Sequence, residues 1–189
     1  IKQREEQLRN GLGQLSRTGE QLFPKETVLL VNALQHFLVD STRLGIPAII
    51  HEETLHGVMM SGATVFPQAI ARGSSWNVDL ERKVGEVIAR EAKSRGSNLS
   101  LSPNLDLARD PRYGRTEETY GEDPYLASRM GVAIVSGMQG DTYNIGKDHI
   151  GVTVKHLGAS GQPLGGLNLS PNYMSERTMR EADFVPFRA

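Results

Sequence analysis

The sequence runs to 189 residues, enough for one domain with a sizeable core and short for two. Its 38% apolar and 23% charged residues, with 20 glycines and 9 prolines, describe a globular chain rich in turns, and a net charge of -1 excludes the basic footprint of a nucleic-acid binder or a polybasic membrane surface. The absence of cysteine excludes disulfides and thiolate metal sites, and no window reaches the ~18 consecutive apolar residues of a spanning helix.

The start, IKQREEQLRN, is charged and lacks the apolar run of a signal peptide, so the chain reads as soluble, with no membrane partner and the cytoplasm favoured. From Lys25 the apolar positions Val28, Val31, Leu34 and Leu38 recur at helical spacing, broken at Gln35, and the pattern ends near Gly45. Residues 46–50 form a short apolar run containing Pro47 and stop at His51-Glu52-Glu53, which predicts a buried strand ending in polar groups. Asn77 and Asp79 offer a cap and a first-turn charge for a helix whose apolar face is Leu80, Val84, Val87 and Ile88, stopping near Gly96. Met59, Met60 and the single Trp76 read as core or wall residues.

Leu99, Leu101, Leu105 and Leu107 predict a second extended segment, which runs straight into the charged stretch RDPRYGRTEETYGEDP. Asp123 before Pro124 supplies an N-cap and a first-turn proline, and Leu126, Met130, Ala133, Ile134 and Met138 supply a buried helical face. After the turn-rich QGDTYNIGKD, residues 150–154 form a β-branched strand ending in Lys155-His156, and the glycine-rich GASGQPLGGLN leads to a helix from about Ser175. Strand and helix alternate with crossovers long enough to hold a helix, which predicts an α/β fold with a parallel, helix-covered sheet.

In such a sheet the carboxyl ends of the strands meet the ligand. Three of them here carry ionic groups: His51-Glu52-Glu53, the stretch from Asp106 to Arg115, and Lys155-His156. If they converge, they line a pocket of donors and acceptors suited to a polyhydroxylated ligand. Glu52 and Glu53 are adjacent and point to opposite faces of a strand, so at most one faces the pocket. The competing reading of RTEETYGED is a solvated, self-paired surface loop. HEETLH spaces its histidines five apart rather than four, which argues against a zinc helix, and GDTYNIGKD is one residue too long and lacks the Ser or Thr of a phosphate loop.

Taken together and in order, IPAIIHEETLHG, GATVFPQAIA, LSPNLDLARDPRYGRTEETYGEDPYL, VKHLGASGQPLGGLN and SERTMRE resemble successive blocks of the amino-terminal barrel of glycoside hydrolase family 3, most strongly its β-glucosidase and β-xylosidase branch. The resemblance covers about Leu22 to Ala189 and implies a (β/α)8 TIM-type barrel. A full barrel takes ~250 residues, so residues 1–189 read as one partial barrel domain holding the amino-terminal strands and helices only.

It further implies a retaining, exo-acting β-glycosidase acting on terminal non-reducing β-D-glucosyl or β-D-xylosyl residues of a β-linked oligosaccharide or glycoside, with no metal and no organic cofactor. By position in these blocks, Glu53, four residues before Gly57, resembles the family's acidic ligand for sugar hydroxyls. Arg115, the second arginine of DPRYGR, resembles its sugar-binding arginine, and Lys155 and His156 its lysine-histidine pair, while Glu117 and Glu118 can be structural. The family's nucleophile lies on a later strand and its general acid farther on, so no catalytic residue is expected here and the chain reads as an amino-terminal fragment; the alternative is a non-catalytic carbohydrate-binding remnant. Two departures stand out: Leu167 where the family often has Arg, and Leu157 where it usually has an aromatic, a change of volume inside the barrel.

Overall fold

The computed structural model describes residue 6, residues 8–158 and residues 160–189. The ordered elements are β1 (Gln14–Ser16), α1 (Pro24–Ser41), β2 (Ile49–Glu52), α2 (Ala69–Gly73), α3 (Val78–Ser94), β3 (Leu99–Ser100), α4 (Pro124–Gln139) and β4 (Gly151–Val152). The strands form one parallel sheet in the order β1-β2-β3-β4, with Gln14 opposite Ile49, His51 opposite Leu99 and Leu99 opposite Gly151. Spatial order follows chain order, so each crossover helix lies over the strand pair it joins, as in the wall of a TIM-type barrel.

β1 escaped the sequence pattern because QLS is short and half polar. β2 begins three residues later than the apolar run and continues into the polar His51-Glu52. The shift has a local cause: the Gln35 amide takes both backbone groups of Ala48, accepting from its N–H at 2.9 Å and donating to its C=O at 2.8 Å. Pro47 has no N–H to give a neighbour. The residue that breaks the apolar face of α1 therefore stands in for a strand partner. β3 is short for a related reason: Ser102 N–H donates to Ser100 Oγ at 3.1 Å, and Pro103 offers no donor to the ladder.

The main core lies between the sheet and the pair α3 and α4, where Val84, Ile88, Met130, Ile134, Met138 and Ile150 are buried. The two helices approach until backbone meets backbone: a Cβ built on Gly137 would lie 2.2 Å from the Arg82 carbonyl oxygen, and one on Gly85 would lie 2.7 Å from that of Ile134. Both helices start as expected. Asn77 Oδ1 accepts from Leu80 N–H at 2.9 Å, and Asp123 Oδ1 accepts from Tyr125 N–H at 2.7 Å. The inward face of α3 differs from the expected one, since Leu80 is exposed and its neighbour Glu81 is buried. A smaller cluster of Val31, Leu38, Ala48 and Ile50 seats α1.

The helix expected from Ser175 is broken into a single turn, α5 (Glu176–Thr178), a π-helical segment (Met179–Asp183) and α6 (Val185–Arg188). Met60 is buried, but Met59 and Trp76 are exposed, so Trp76 is no core residue. No helix among the described residues is long and apolar enough to cross a membrane.

Candidate functional site

The three ionic strand ends do converge. Glu53 follows β2 directly, Asp106 lies beyond β3, and Lys155 and His156 lie beyond β4. The path past β4 is pinned to the path past β3: Lys155 N–H donates to Pro103 C=O at 3.1 Å and Leu105 N–H to Lys155 C=O at 2.6 Å. That pinning brings Lys155 Nζ within 2.9 Å of Glu53 Oε2, a pair with side chains only 13% and 27% exposed. Pleating sends the neighbouring Glu52 the other way, as its adjacency to Glu53 requires. Its side chain is fully buried, Oε1 accepts from Gly19 N–H at 3.5 Å, and Oε2 has no hydrogen-bond partner among the described residues. Burial pushes its carboxyl up to about 7.

Arg115 and Glu118 form a bidentate pair, Nε to Oε1 at 2.9 Å and Nη2 to Oε2 at 2.7 Å, and Asn104 Nδ2 donates to the same Oε2 at 3.4 Å. The hydrogen bond to Glu118 raises the Arg115 pKa further, which keeps the guanidinium charged. For Glu118, burial acts upward, but the Arg115 hydrogen bond and charge outweigh it and the net shift is downward. The third Arg115 nitrogen, Nη1, faces His156 Nε2 at 3.3 Å, and His156 Nδ1 lies 2.8 Å from Oδ2 of the buried Asp106. The other Asp106 oxygen accepts from His156 N–H at 3.2 Å. Asp106 is oriented in turn by Asn104, whose Oδ1 accepts from its N–H at 2.9 Å.

All four residues expected from the sequence therefore meet. Glu53, Lys155 and Arg115 line a concavity of about 250 Å³, and Arg115 and His156 line a second of about 260 Å³. Arg115 belongs to both. The first also takes in Arg17, His56, Gln68 and Glu117, and the second Tyr113, Ser160 and Asn168. Burial raises the Tyr113 pKa, and its buried hydroxyl has no hydrogen-bond partner among the described residues. Close approaches shape the walls: Gly57, at φ 117°, would place a Cβ 2.0 Å from the Thr64 carbonyl oxygen, and Gly166, at φ 75°, would place one 2.5 Å from Arg112 Cβ.

Asp106 and Glu118 are the site residues that the strand-end reasoning did not single out. Both serve other side chains; Glu118 had a local signal, three residues after an arginine that needed a partner, whereas Asp106 had none, since its histidine lies 50 positions away. Of the solvated, self-paired reading, the self-pairing holds, since Arg115 and Glu118 bind each other within the loop; Glu117 is exposed as that reading expects, but Arg115 and Glu118 are half-buried rather than solvated. Of the two departures, Leu167 and Leu157 are both exposed among the described residues. Among the described residues no group of three or more His, Asp or Glu side chains is placed to hold a metal ion.

The sequence signature of the glycosyl hydrolase family 3 N terminal domain matches residues 2–189. A putative beta-xylosidase of Formosa agariphila is 37% identical over 185 residues, covering 97% of this chain and 24% of the relative. Among solved structures, a b-glucosidase from Erythrobacter marinus superposes with a TM-score of 0.95 at 39% identity, covering 100% of this chain and 25% of the other. A beta-glucosidase from Listeria innocua, solved in complex with isofagomine, has a TM-score of 0.82 at 34% identity and is covered over 24% of its length by 93% of this chain. The chain thus spans about a quarter of the length of the relatives it matches.

Proposed function

The chain belongs to glycosyl hydrolase family 3, and on that footing we propose that the complete protein hydrolyses terminal non-reducing β-D-glucosyl or β-D-xylosyl residues with retention, and that Glu53, Arg115, Lys155 and His156 hold the sugar. One arrangement carries this: two donor–acceptor couples, Lys155 with Glu53 and Arg115 with His156, stand side by side at the strand ends. A sugar hydroxyl is at once a donor and an acceptor. Each couple complements one hydroxyl, accepting its proton at Glu53 or His156 Nε2 and donating to its oxygen from Lys155 or Arg115. Neighbouring hydroxyls on a ring fit neighbouring couples.

These groups orient the ring, and their hydrogen bonds to the hydroxyls strengthen as oxocarbenium character develops at the anomeric carbon. The nucleophile and the general acid are assigned to no residue of this chain, and no cofactor is invoked. Substituting Lys155→Ala in the complete protein lowers kcat/KM for aryl β-glucosides and β-xylosides by roughly a hundredfold or more. Kinetics within a factor of about two of the unsubstituted protein overturn the assignment of the lysine. Glucose or xylose binding by the complete protein with no turnover of any β-glycoside replaces the hydrolase by a carbohydrate-binding role.

A further inference from the structure

Arg72, Glu81 and Tyr120 form an ionic cluster that takes no part in holding the sugar, yet they are only 7%, 1% and 3% exposed. Arg72 Nε donates to Glu81 Oε2 at 2.8 Å and Nη2 to Oε1 at 3.1 Å, and the Tyr120 hydroxyl donates to the same Oε1 at 2.6 Å. The guanidinium also reaches two backbone carbonyls, with Nη2 donating to Leu55 C=O at 3.0 Å and Nη1 to Pro67 C=O. Burial raises the Tyr120 pKa well above its ordinary value, so the hydroxyl stays a donor.

The places these contacts reach give the cluster its meaning. Leu55 is two residues beyond Glu53 on the loop after β2, and Tyr120 is two residues beyond Glu118 on the loop that carries Arg115. Arg72 sits on α2 and Glu81 on α3. The Tyr120 backbone presses on α2 as well, since a Cβ on Gly73 would lie 2.8 Å from the Tyr120 carbonyl oxygen. The two loops are therefore joined from beneath through one planar fork of donors and one carboxylate.

A buried ion pair of this kind is weak evidence of stabilisation, because desolvation offsets most of the attraction and a well-packed apolar substitute does as well. It does fix geometry, because a guanidinium that holds a carboxylate and two carbonyls at once has little freedom left.

We propose that Arg72, Glu81 and Tyr120 are positioning residues that set the separation of the Glu53 loop and the Arg115 loop, and so the spacing of the two donor–acceptor couples on the sugar. This rests on the assignment of Glu53 and Arg115 as sugar ligands. None of the three lines either concavity, and their influence passes through the loops.

Tyr120→Phe removes one hydroxyl without opening a cavity, and hydrogen exchange on the complete protein reads the loops independently of activity. The expected result is faster exchange in both residues 53–57 and residues 115–121, with kcat/KM for an aryl β-glycoside reduced roughly tenfold to a hundredfold. The thermal midpoint should stay near that of Tyr125→Phe, a control at an exposed tyrosine. If Tyr120→Phe does not fold, Arg72→Lys, which keeps the charge and loses the fork, is read in the same way. Faster exchange confined to one loop, or both loops loosened with unchanged kinetics, overturns the proposal. An unsubstituted protein that turns over no β-glycoside, whose loops still loosen together in Tyr120→Phe, overturns the hydrolase assignment and upholds the coupling of the loops.

Discussion

His156 Nδ1 lies 2.8 Å from Asp106 Oδ2, and its Nε2 lies 3.3 Å from Arg115 Nη1. An ionised carboxylate only accepts and a guanidinium only donates. Both contacts are hydrogen bonds only if the ring is neutral, with its proton on Nδ1 and its lone pair on Nε2. Asp106 thereby selects the tautomer that Arg115, or a sugar hydroxyl in its place, can use.

Asp106→Asn tests this directly. The carbonyl of the new carboxamide would keep the His156 N–H bond and turn the amide NH2 toward Nδ1, which favours the opposite tautomer and sets two donors against each other at Nε2. The ¹⁵N spectrum of His156 should show the proton moved from Nδ1 to Nε2, and glycoside turnover should fall by roughly ten- to a hundredfold, the usual cost of losing a group that orients a histidine. An unchanged ring spectrum would sink the tautomer argument.

Glu53 and Lys155 should behave as one unit, because either alone is left as a partly buried charge without its partner. In a double-mutant cycle of Glu53→Gln and Lys155→Met, the losses in kcat/KM should fall short of additivity by about 1–3 kcal/mol. Additive losses would mean that the two side chains meet the ligand independently.

Glu52 makes stability depend on pH in an unusual direction. Its carboxyl moves from 4.5 to about 7 on folding, so between these values the folded chain holds a proton that the unfolded chain has released. Stability from this group is fully present below about 4.5 and is lost as pH rises through about 7, by up to about 3 kcal/mol. Urea titrations across that window should show the decline in the unsubstituted protein and a flatter curve in Glu52→Gln. Equal slopes in the two proteins would rule out Glu52 as the source.

Gly137→Ala should destabilise the contact of α3 with α4, because the new methyl meets the Arg82 backbone rather than a side chain that can turn aside. The expected loss is about 2 kcal/mol, seen as a thermal midpoint lower by about 4–8 °C for a domain of this size. A midpoint unchanged within error would show that the helices can separate freely.

The alternation of elements, the capped starts of α3 and α4 and the three ionic strand ends were legible in the sequence because each rests on local pattern: spacing, cap residues, and charge at the end of an apolar run. What escaped depends on partners distant in sequence. Gln35 breaks the apolar face of its helix, and only Ala48 supplies its purpose; Glu81, next to the expected apolar Leu80, is drawn inward by Arg72 and Tyr120. Asp106 was in view as one charge among many, but its function depended on a histidine 50 positions away. Glu53, Arg115, Lys155 and His156 came from a resemblance, and the geometry adds that they pair across the strand ends.

Arg115 borders both concavities, so its side chain is a partition as well as a charge. Shortening it would change the shape of both concavities, and the lost guanidinium would then be entangled with that change. On the proposed sugar site, a weakened Arg115→Ala protein should accept bulkier sugars than the unsubstituted one. Adding free guanidinium, which can restore the charge without restoring the wall, is the way to tell the two effects apart.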